Sequence, residues 1–121
     1  MNKEVYATLF DEWNNALKSG DPEQVVALYG KNAVLLPTMS NQVRHNYEEI
    51  KDYFVHFLKK GPTGSIDEAN IRKYDQILIN SGLYTFTFNN GSSAQARFTF
   101  VYQLNGERWE IIEHHSSLMP E

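Results

Sequence analysis

Two adjacent histidines near the end of the chain, His114 and His115, carry the side chains with the most versatile chemistry. They belong to a segment typical of a β-strand, which begins at Trp109, and successive side chains of a strand point to opposite faces of the sheet. We therefore expect the two imidazoles to point apart and not to share a metal ion. Because His45 and His56 show no ligand spacing with them, the sequence predicts no metal site.

The first of the two histidines, His114, is the candidate catalytic residue. An imidazole has an ordinary pKa of about 6.5, so it could serve as an acid or a base near neutrality. Tyr53 or Tyr102 would be its partner, and no Ser-His-Asp set is recognisable. The alternative is a histidine inside the core, hydrogen-bonded to a tyrosine. No catalytic residue is assigned beyond this candidate, and no cofactor is expected.

Aromatic side chains share the predicted face of His114. The segments Leu83–Phe88 and Ala96–Tyr102 alternate with the two-residue period of a strand. Such a face suits a pocket for a small, largely apolar ligand that a few polar groups orient, although the rings could also fill an ordinary core. The candidate ligand-binding residues are Trp13, Tyr53, Tyr84, Phe98, Phe100, Tyr102, His114 and Ser116.

The opposite face of the same strands mixes apolar and charged residues, which is unusual for a sheet face in bare solvent. Two copies of the chain could meet there about a twofold axis, with Arg97 reaching Glu113 within or across subunits. The alternative is an exposed Arg–Glu pair worth about 0–1 kcal/mol. The candidate interface residues are Arg97, Thr99, Val101, Trp109, Ile111, Glu113 and His115.

Both face assignments depend on the turn at Asn105-Gly106, because a slip of one residue exchanges the faces. A two-residue turn would pair Leu104 with Glu107, whereas a three-residue turn with a bulge would pair Leu104 with Arg108. We favour the three-residue turn. It groups Phe98, Phe100 and Tyr102 with Ile112, His114 and Ser116, and it puts Arg97 on the side of Glu113 and His115.

Helices are predicted in the first half of the chain. Apolar residues at steps of three and four indicate a first helix over residues 2–19. Asp21 is a suitable N-cap for a short second helix that ends at Gly30. Asn46 is a suitable cap for a third helix, which is broken at Gly61.

The remaining segments have the pattern of strands. Helices that precede a run of antiparallel strands predict an α+β fold, in which a curved sheet wraps the helices like a cone. A curled sheet would leave a cavity beneath it. The predicted strands are Ala33–Leu36, Ser65–Lys73, Gln76–Asn80, Leu83–Phe88, Ala96–Tyr102 and Trp109–His115, with a hairpin turn at Asn89-Asn90-Gly91.

The composition limits the classes of function. A chain of 121 residues fits a single domain over residues 1–121. A net charge of −4 disfavours a broad surface for nucleic acid, and no apolar run is long enough to cross a membrane. There are no cysteines and no pattern of a signal peptide, so a cytoplasmic location is expected.

Three stretches carry a resemblance to a known family: residues 13–22 (WNNALKSGDP), residues 33–37 (AVLLP) and residues 109–117 (WEIIEHHSS). They resemble the nuclear transport factor 2-like superfamily, also called cystatin-like or SnoaL-like. Within it, the chain is most similar to the association (hub) domain of calcium/calmodulin-dependent protein kinase II. The resemblance implies a cone with a deep pocket, assembly into homodimers or larger rings, and no kinase activity.

One departure from that family affects the expected ligand. The pocket of the kinase domain carries several arginines, and this chain has Tyr84, Phe100 and Ser116 at those positions. The resemblance therefore implies no recognition of small carboxylates through arginine here.

Two functions remain in competition at this point. The first is a self-associating module with a pocket for a small ligand, and the second is a small SnoaL-like enzyme, such as a cyclase, isomerase or hydrolase, with His114 as its acid or base. A third function, protection through contact with another protein, has no sequence feature behind it.

Overall fold

A computed structural model describes residues 3–38 and 40–120 of the chain, with side chains from residue 8 onward. Three helices, α1 (Lys3–Ser19), α2 (Pro22–Val26) and α3 (Tyr47–Phe57), pack on one face of a five-stranded sheet, and a 3-10 turn, Leu58–Lys60, follows α3. The strands are β1 (Tyr29–Leu36), β2 (Thr63–Tyr74), β3 (Ile77–Thr87), β4 (Ser93–Asn105) and β5 (Arg108–Leu118). The α+β fold expected from the sequence is confirmed.

The helices begin where the sequence predicts. The Asp21 carboxylate accepts a hydrogen bond from the backbone N–H of Glu23, and the Asn46 side chain accepts one from the N–H of Glu49. Each bond satisfies a backbone donor that the helix itself leaves without a partner. The predicted first residue of α1, Asn2, lies outside the described residues.

The second helix is shorter than predicted. It ends at Val26, and the chain has already entered β1 at Tyr29, where Gly30 was expected to end the helix. The cause is a long-range contact, since the backbone N–H of Ile111 donates to the carbonyl of Leu28 and draws this segment onto the sheet.

The sheet has the strand order β1-β5-β4-β3-β2. Strands β2 to β5 run antiparallel as predicted, whereas β1 lies parallel to β5 at one edge. Bulges interrupt β2 at Asp67 and β5 at Ile112, and such bulges bend a strand and increase its twist. The sheet therefore curves around the helices without closing into a barrel.

Two predicted strands, Gln76–Asn80 and Leu83–Phe88, form the single strand β3, which ends at Thr87. The residue between them that suggested a break, Gly82, has a different role. A Cβ atom there would lie 2.0 Å from the carbonyl oxygen of Glu68, next to the bulge in β2. Because glycine has no Cβ, β2 and β3 can approach closely at that point and their pairing continues without a break.

The register of the last hairpin differs from both predicted versions. Asn105 pairs with Arg108 and Leu104 pairs with Trp109, so the loop is the two-residue Gly106-Glu107. The expected three-residue turn is wrong, but the bulge at Ile112 returns the residues beyond it to their predicted faces, with partners two residues further along β5 than predicted.

That register moves two predicted interface residues to the helix-facing side. Ile111 is only 1% exposed and belongs to the core, and Trp109 packs against the same core. Their assignment to the opposite face is therefore wrong. Beyond the bulge, Phe100 lies opposite His114 and Phe98 opposite Ser116, which puts these four residues on one face as predicted.

Candidate functional site

The face of the sheet that packs against the helices, called the inner face below, holds His114 at the centre of a group of aromatic rings. The imidazole is 2% exposed. The Phe100 ring stacks on it with centroids 4.0 Å apart and an angle of 17°, and the Trp13 ring meets it edge-on at 5.4 Å. The helix α1 and the strand β4 thus enclose the imidazole from two sides.

Hydrogen bonds from two tyrosines hold the ring of His114 in place. The Tyr29 hydroxyl lies 2.9 Å from Nδ1, and the Tyr84 hydroxyl lies 3.2 Å from Nε2. Tyr84 also donates to the hydroxyl of Ser116 at 2.6 Å, and Ser116 is in turn hydrogen-bonded to Thr38. These contacts link strand β5 to β1, to β3 and to the segment after β1.

The direction of these bonds fixes the tautomer of His114. A hydroxyl has one proton, and Tyr84 gives its proton to Ser116, so the Nε2–H of His114 must donate to Tyr84. Nδ1 is then the acceptor for the Tyr29 hydroxyl, and Tyr29 itself accepts from the indole N–H of Trp13 at 3.2 Å. The result is one directed series of hydrogen bonds from Trp13 to Ser116, which a further hydrogen bond joins to Thr38.

No side chain in this hydrogen-bonded series carries a charge near neutral pH. Burial, assisted by the nearby His115, lowers the pKa of His114 to about 3. Burial also raises the pKa of Tyr29, Tyr53 and Tyr84 well above the usual value for a phenol. In an apolar interior the neutral form of each group is favoured, because a charged form would lose its hydration.

A small inner cavity lies next to these hydrogen-bonded side chains. Its volume is about 10 Å³, close to the minimum for one water molecule. Five of the eight predicted ligand-binding residues line it, namely Trp13, Tyr53, Tyr84, His114 and Ser116. Its other lining residues are Leu35, Pro37, Thr38, Phe54, Phe57 and Phe86.

The other three predicted residues lie on the inner face but do not line the cavity. Phe98 stacks on Tyr84 at 4.6 Å, and Phe100 stacks on His114. Tyr102 is buried near the acidic side chain of Glu12, and its pKa is raised mainly by burial and secondarily by that charge. In this closed arrangement they act as packing residues.

Two residues of the site, Tyr29 and Thr38, are absent from the sequence predictions. Tyr29 falls within the segment predicted as helix, and Thr38 within the segment predicted as loop. Their partners in the site, His114 and Ser116, lie 85 and 78 residues away along the chain. The one available signal is the Pro37 that precedes Thr38, which shows where β1 must end.

A larger cavity opens to solvent beside the inner one, and we call it the mouth. It measures about 260 Å³ and shares Tyr53 and Phe57 with the inner cavity. The Tyr53 hydroxyl donates to the carbonyl of Thr38 at 2.9 Å, and the Arg44 guanidinium lies 5.7 Å from the centre of the Tyr53 ring. The other lining residues of the mouth are Ser40, His56 and Lys60.

The face of the sheet that points away from the helices, the outer face, carries five of the seven predicted interface residues. Val101 lies opposite Ile79 on β3 and opposite Glu113 on β5. Thr99 lies opposite His115, and Arg97 opposite Leu83 and Ser117. Apolar side chains of three strands are half-buried there, namely Val34, Ile79, Leu83 and Val101.

Arg97 and Glu113 do not pair within the chain. They stand four residues apart along neighbouring strands, a separation of about 13 Å at the rise of a β-strand. Neither is in an ion pair among the described residues, where the pairs are Arg44–Asp52, His45–Glu49 and Lys51–Glu23. Two opposite charges on one face thus have no ion-pair partner in the part of the chain that the structure describes.

The described part of the chain contains no group of three His, Asp or Glu side chains that could hold a metal ion. No helix in that part is long and apolar enough to cross a membrane.

The sequence and the structure both match known proteins. Residues 2–120 match the calcium/calmodulin dependent protein kinase II association domain. A crystal structure of a protein from Xanthomonas campestris, assigned to that domain, is 47% identical, with a TM-score of 0.95 over 100% of this chain and 90% of that chain. No curated protein is similar enough in sequence to count as a relative.

More distant structures share the fold alone. A nuclear transport factor 2-like superfamily protein from Salmonella enterica has a TM-score of 0.83 at 15% identity, over 98% of this chain and 92% of that chain. A protein of the same fold from Streptomyces avermitilis, assigned as a dehydratase, has a TM-score of 0.86 at 11% identity, over 98% and 96% of the two chains.

Proposed function

The chain belongs to the calcium/calmodulin dependent protein kinase II association domain family, and from that membership we propose that it is a self-associating module that binds a small, largely apolar ligand and has no kinase activity of its own. The assembly is a homodimer or a larger ring. The cytoplasmic location expected from the composition stays a prediction.

The observation that carries the proposal is the unmatched outer face. Val34, Ile79, Leu83 and Val101, from three strands, are half-buried apolar side chains of this face, with Glu113 between Val34 and Val101 and Arg97 beside Leu83. Apolar surface that is interspersed with a few charges can be buried between two copies if each charge finds its partner across the interface. A face of this kind is self-complementary, because it carries both signs of charge.

A twofold axis explains why the two charges have no partner in one chain. Thr99 and His115 lie between Arg97 and Glu113 on the outer face. An axis near that pair of residues would bring Arg97 of one copy over Glu113 of the other, and the same contact would occur twice. The described residues thus support a contact across subunits and not within one.

The ligand part of the proposal rests on the inner face. Five predicted ligand-binding residues converge on the inner cavity, where hydroxyl groups and aromatic rings are the only lining chemistry besides His114 and aliphatic carbon. A pocket of rings with a few polar groups suits a small, largely apolar molecule. The resemblance to the kinase domain does not imply arginines in this pocket, since Tyr84, Phe100 and Ser116 occupy the corresponding positions.

The competing enzyme hypothesis needs His114 as an acid or a base. A group with a pKa of about 3 holds almost no proton at neutral pH, so it cannot act as an acid there. It is also a weak base, because efficient proton transfer favours a pKa near the working pH. The hydrogen bonds of His114 serve the fold instead, and we favour the binding module.

The proposal of self-association is tested by the molar mass in solution. Light scattering coupled to size exclusion, at micromolar protein, should give at least twice the chain mass of 14.0 kDa. Replacing Val101 by Asp should reduce the mass to that of one chain, because a carboxylate would be buried beside Glu113. Thr87→Asp, at the far end of the outer face, is the matched control and should leave the assembly intact. A wild-type monomer would refute the proposal.

A further inference from the structure

Tyr53 differs from every other aromatic residue that lines the inner cavity. Trp13, Phe54, Phe57, Tyr84 and Phe86 are at most 6% exposed, so none can move without disturbing the core. Tyr53 is half-buried and packs against the edge of the core. Among the described lining residues it is the aromatic ring with the most exposure, so its rotation would disturb the core least.

The Tyr53 ring separates the inner cavity from the mouth. It belongs both to the inner cavity of about 10 Å³ and to the mouth of about 260 Å³. The only other shared residue is Phe57, which is buried and stacks on Tyr53 with centroids 5.5 Å apart and an angle of 16°. If the Tyr53 ring turns outward, the mouth and the inner cavity become one pocket that reaches Ser116 and Tyr84.

Four contacts with described residues hold Tyr53 in the closed position. Its hydroxyl donates to the Thr38 carbonyl at 2.9 Å, and the Arg44 guanidinium lies 5.7 Å from its ring centre. Phe57 stacks on the ring, and Phe54 meets it edge-on at 5.1 Å. Each such contact is individually weak at a site that water can reach. A ligand that replaces the same contacts can therefore offset the cost of opening.

Opening leaves a defined set of hydrogen-bonding groups for the ligand. The Thr38 carbonyl loses its donor when Tyr53 leaves. The Thr38 hydroxyl is hydrogen-bonded to Ser116, and either of the two oxygens can be the donor. A ligand hydroxyl can donate to the carbonyl, and its lone pairs can accept from the Thr38 hydroxyl when that proton points away from Ser116.

The inner cavity also selects against charge. No Asp, Glu, Lys or Arg side chain lines it, and His114 is neutral there. An anion that passed Arg44 and Lys60 of the mouth and reached the inner cavity would lose its hydration with no cation beside it, which is costly in an apolar site. A carboxylate would in addition face the Thr38 carbonyl and offer it no donor.

We propose, building on the ligand-binding part of the proposed function, that Tyr53 is the gate of this pocket and that the ligand is an uncharged hydroxyl compound with one ring-sized apolar body, as in a phenol or a cyclic alcohol. The hydroxyl of the ligand occupies the place of the Tyr53 hydroxyl at Thr38. The apolar body packs between Phe57 and the rings around Tyr84.

The test is a titration of phenol, toluene and benzoate into the wild type, Tyr53→Phe and Tyr47→Phe at neutral pH, followed by NMR. Phenol should bind the wild type, and toluene and benzoate should bind at least tenfold more weakly. Tyr53→Phe removes the bond to Thr38 that holds the gate, so it should bind phenol about fivefold more tightly. Tyr47, an exposed tyrosine of the same helix, is the matched control and should change nothing.

A third variant, Tyr53→Ala, tests whether phenol merely fills the cavity that is left when the Tyr53 side chain is removed. Phenol that binds Tyr53→Ala and not the wild type would overturn the gate, as would equal affinities for the wild type and Tyr53→Phe. Benzoate that binds as tightly as phenol would overturn the ligand class. No phenol binding to any of these proteins would refute the inference, and a dimer in the same sample would show that self-association stands without it.

Discussion

The inner and outer faces of strand β5 differ although they alternate residue by residue along the same segment. His114 points inward, is 2% exposed and has a hydrogen-bond partner at each ring nitrogen. Its neighbour His115 points outward, is exposed, and lies opposite Thr99. The polar groups around His114 on the inner face are hydrogen-bonded to one another, although the buried Asn80 Oδ1 on that face has no partner among the described residues. On the outer face, Arg97 and Glu113 have no ion-pair partners among the described residues. We conclude that the inner face maintains the fold and that the outer face is available to a second copy.

The largest effect expected from this comparison concerns the two histidines. His114→Ala should lower the free energy of unfolding by about 3–5 kcal/mol, because it leaves a cavity and removes the acceptor of the buried Tyr29 hydroxyl. His115→Ala should change it by less than about 0.5 kcal/mol when measured on the monomer. Urea denaturation of both variants, at a protein concentration where the wild type is monomeric, makes the comparison. Equal effects would contradict the assignment of the faces.

The second effect is a dependence of stability on pH. The pKa of His114 is lowered from about 6.5 to about 3 in the folded chain, so between these values the unfolded chain binds a proton that the folded chain excludes. Stability should therefore rise with pH across this window, by at most about 1.4 kcal/mol per pH unit, and fall as the pH drops below about 6.5.

The contribution of His114 is isolated by its difference from a variant. His114→Gln lacks the titrating group, while the carboxylates and the other histidines titrate in both proteins. The slope of unfolding free energy against pH should thus be steeper in the wild type between about pH 4 and 6. Identical slopes, measured by chemical denaturation, would show that His114 titrates normally and is not buried.

A smaller effect is expected from the next pair of neighbours, Ser116 and Ser117. Ser116→Ala removes the acceptor of the Tyr84 hydroxyl and should cost about 1–2 kcal/mol. Ser117, on the outer face opposite Arg97, should tolerate alanine within about 0.5 kcal/mol. Thermal melts of the two variants give the ranking, and a larger loss for Ser117→Ala would reverse our assignment of the two faces.

The parts of the fold that depend on neighbouring residues could be predicted from the sequence. The caps at Asp21 and Asn46 are local, and so is the alternation of faces along β4 by itself and along β5 by itself. These features need no knowledge of what lies elsewhere in the chain.

The parts that depend on distant contacts could not be predicted. The start of β1 and the register near Ile111 are set together, because the Ile111 N–H donates to the Leu28 carbonyl across the parallel edge of the sheet. The residues near Asn105-Gly106 give no indication of that hydrogen bond between Ile111 and Leu28. For the same reason Tyr29, assigned to a helix from its neighbours, was missed as the partner of His114.

The central claim, that the outer faces of two copies pair, is tested most directly by a charge exchange measured by sedimentation equilibrium. Arg97→Glu and Glu113→Arg should each weaken the dimer by about tenfold or more, because each places like charges opposite one another across the interface. The double variant, Arg97→Glu with Glu113→Arg, should restore most of the wild-type affinity. A wild-type chain that stays monomeric at micromolar concentration, or a double variant weaker than both single variants, would contradict the claim.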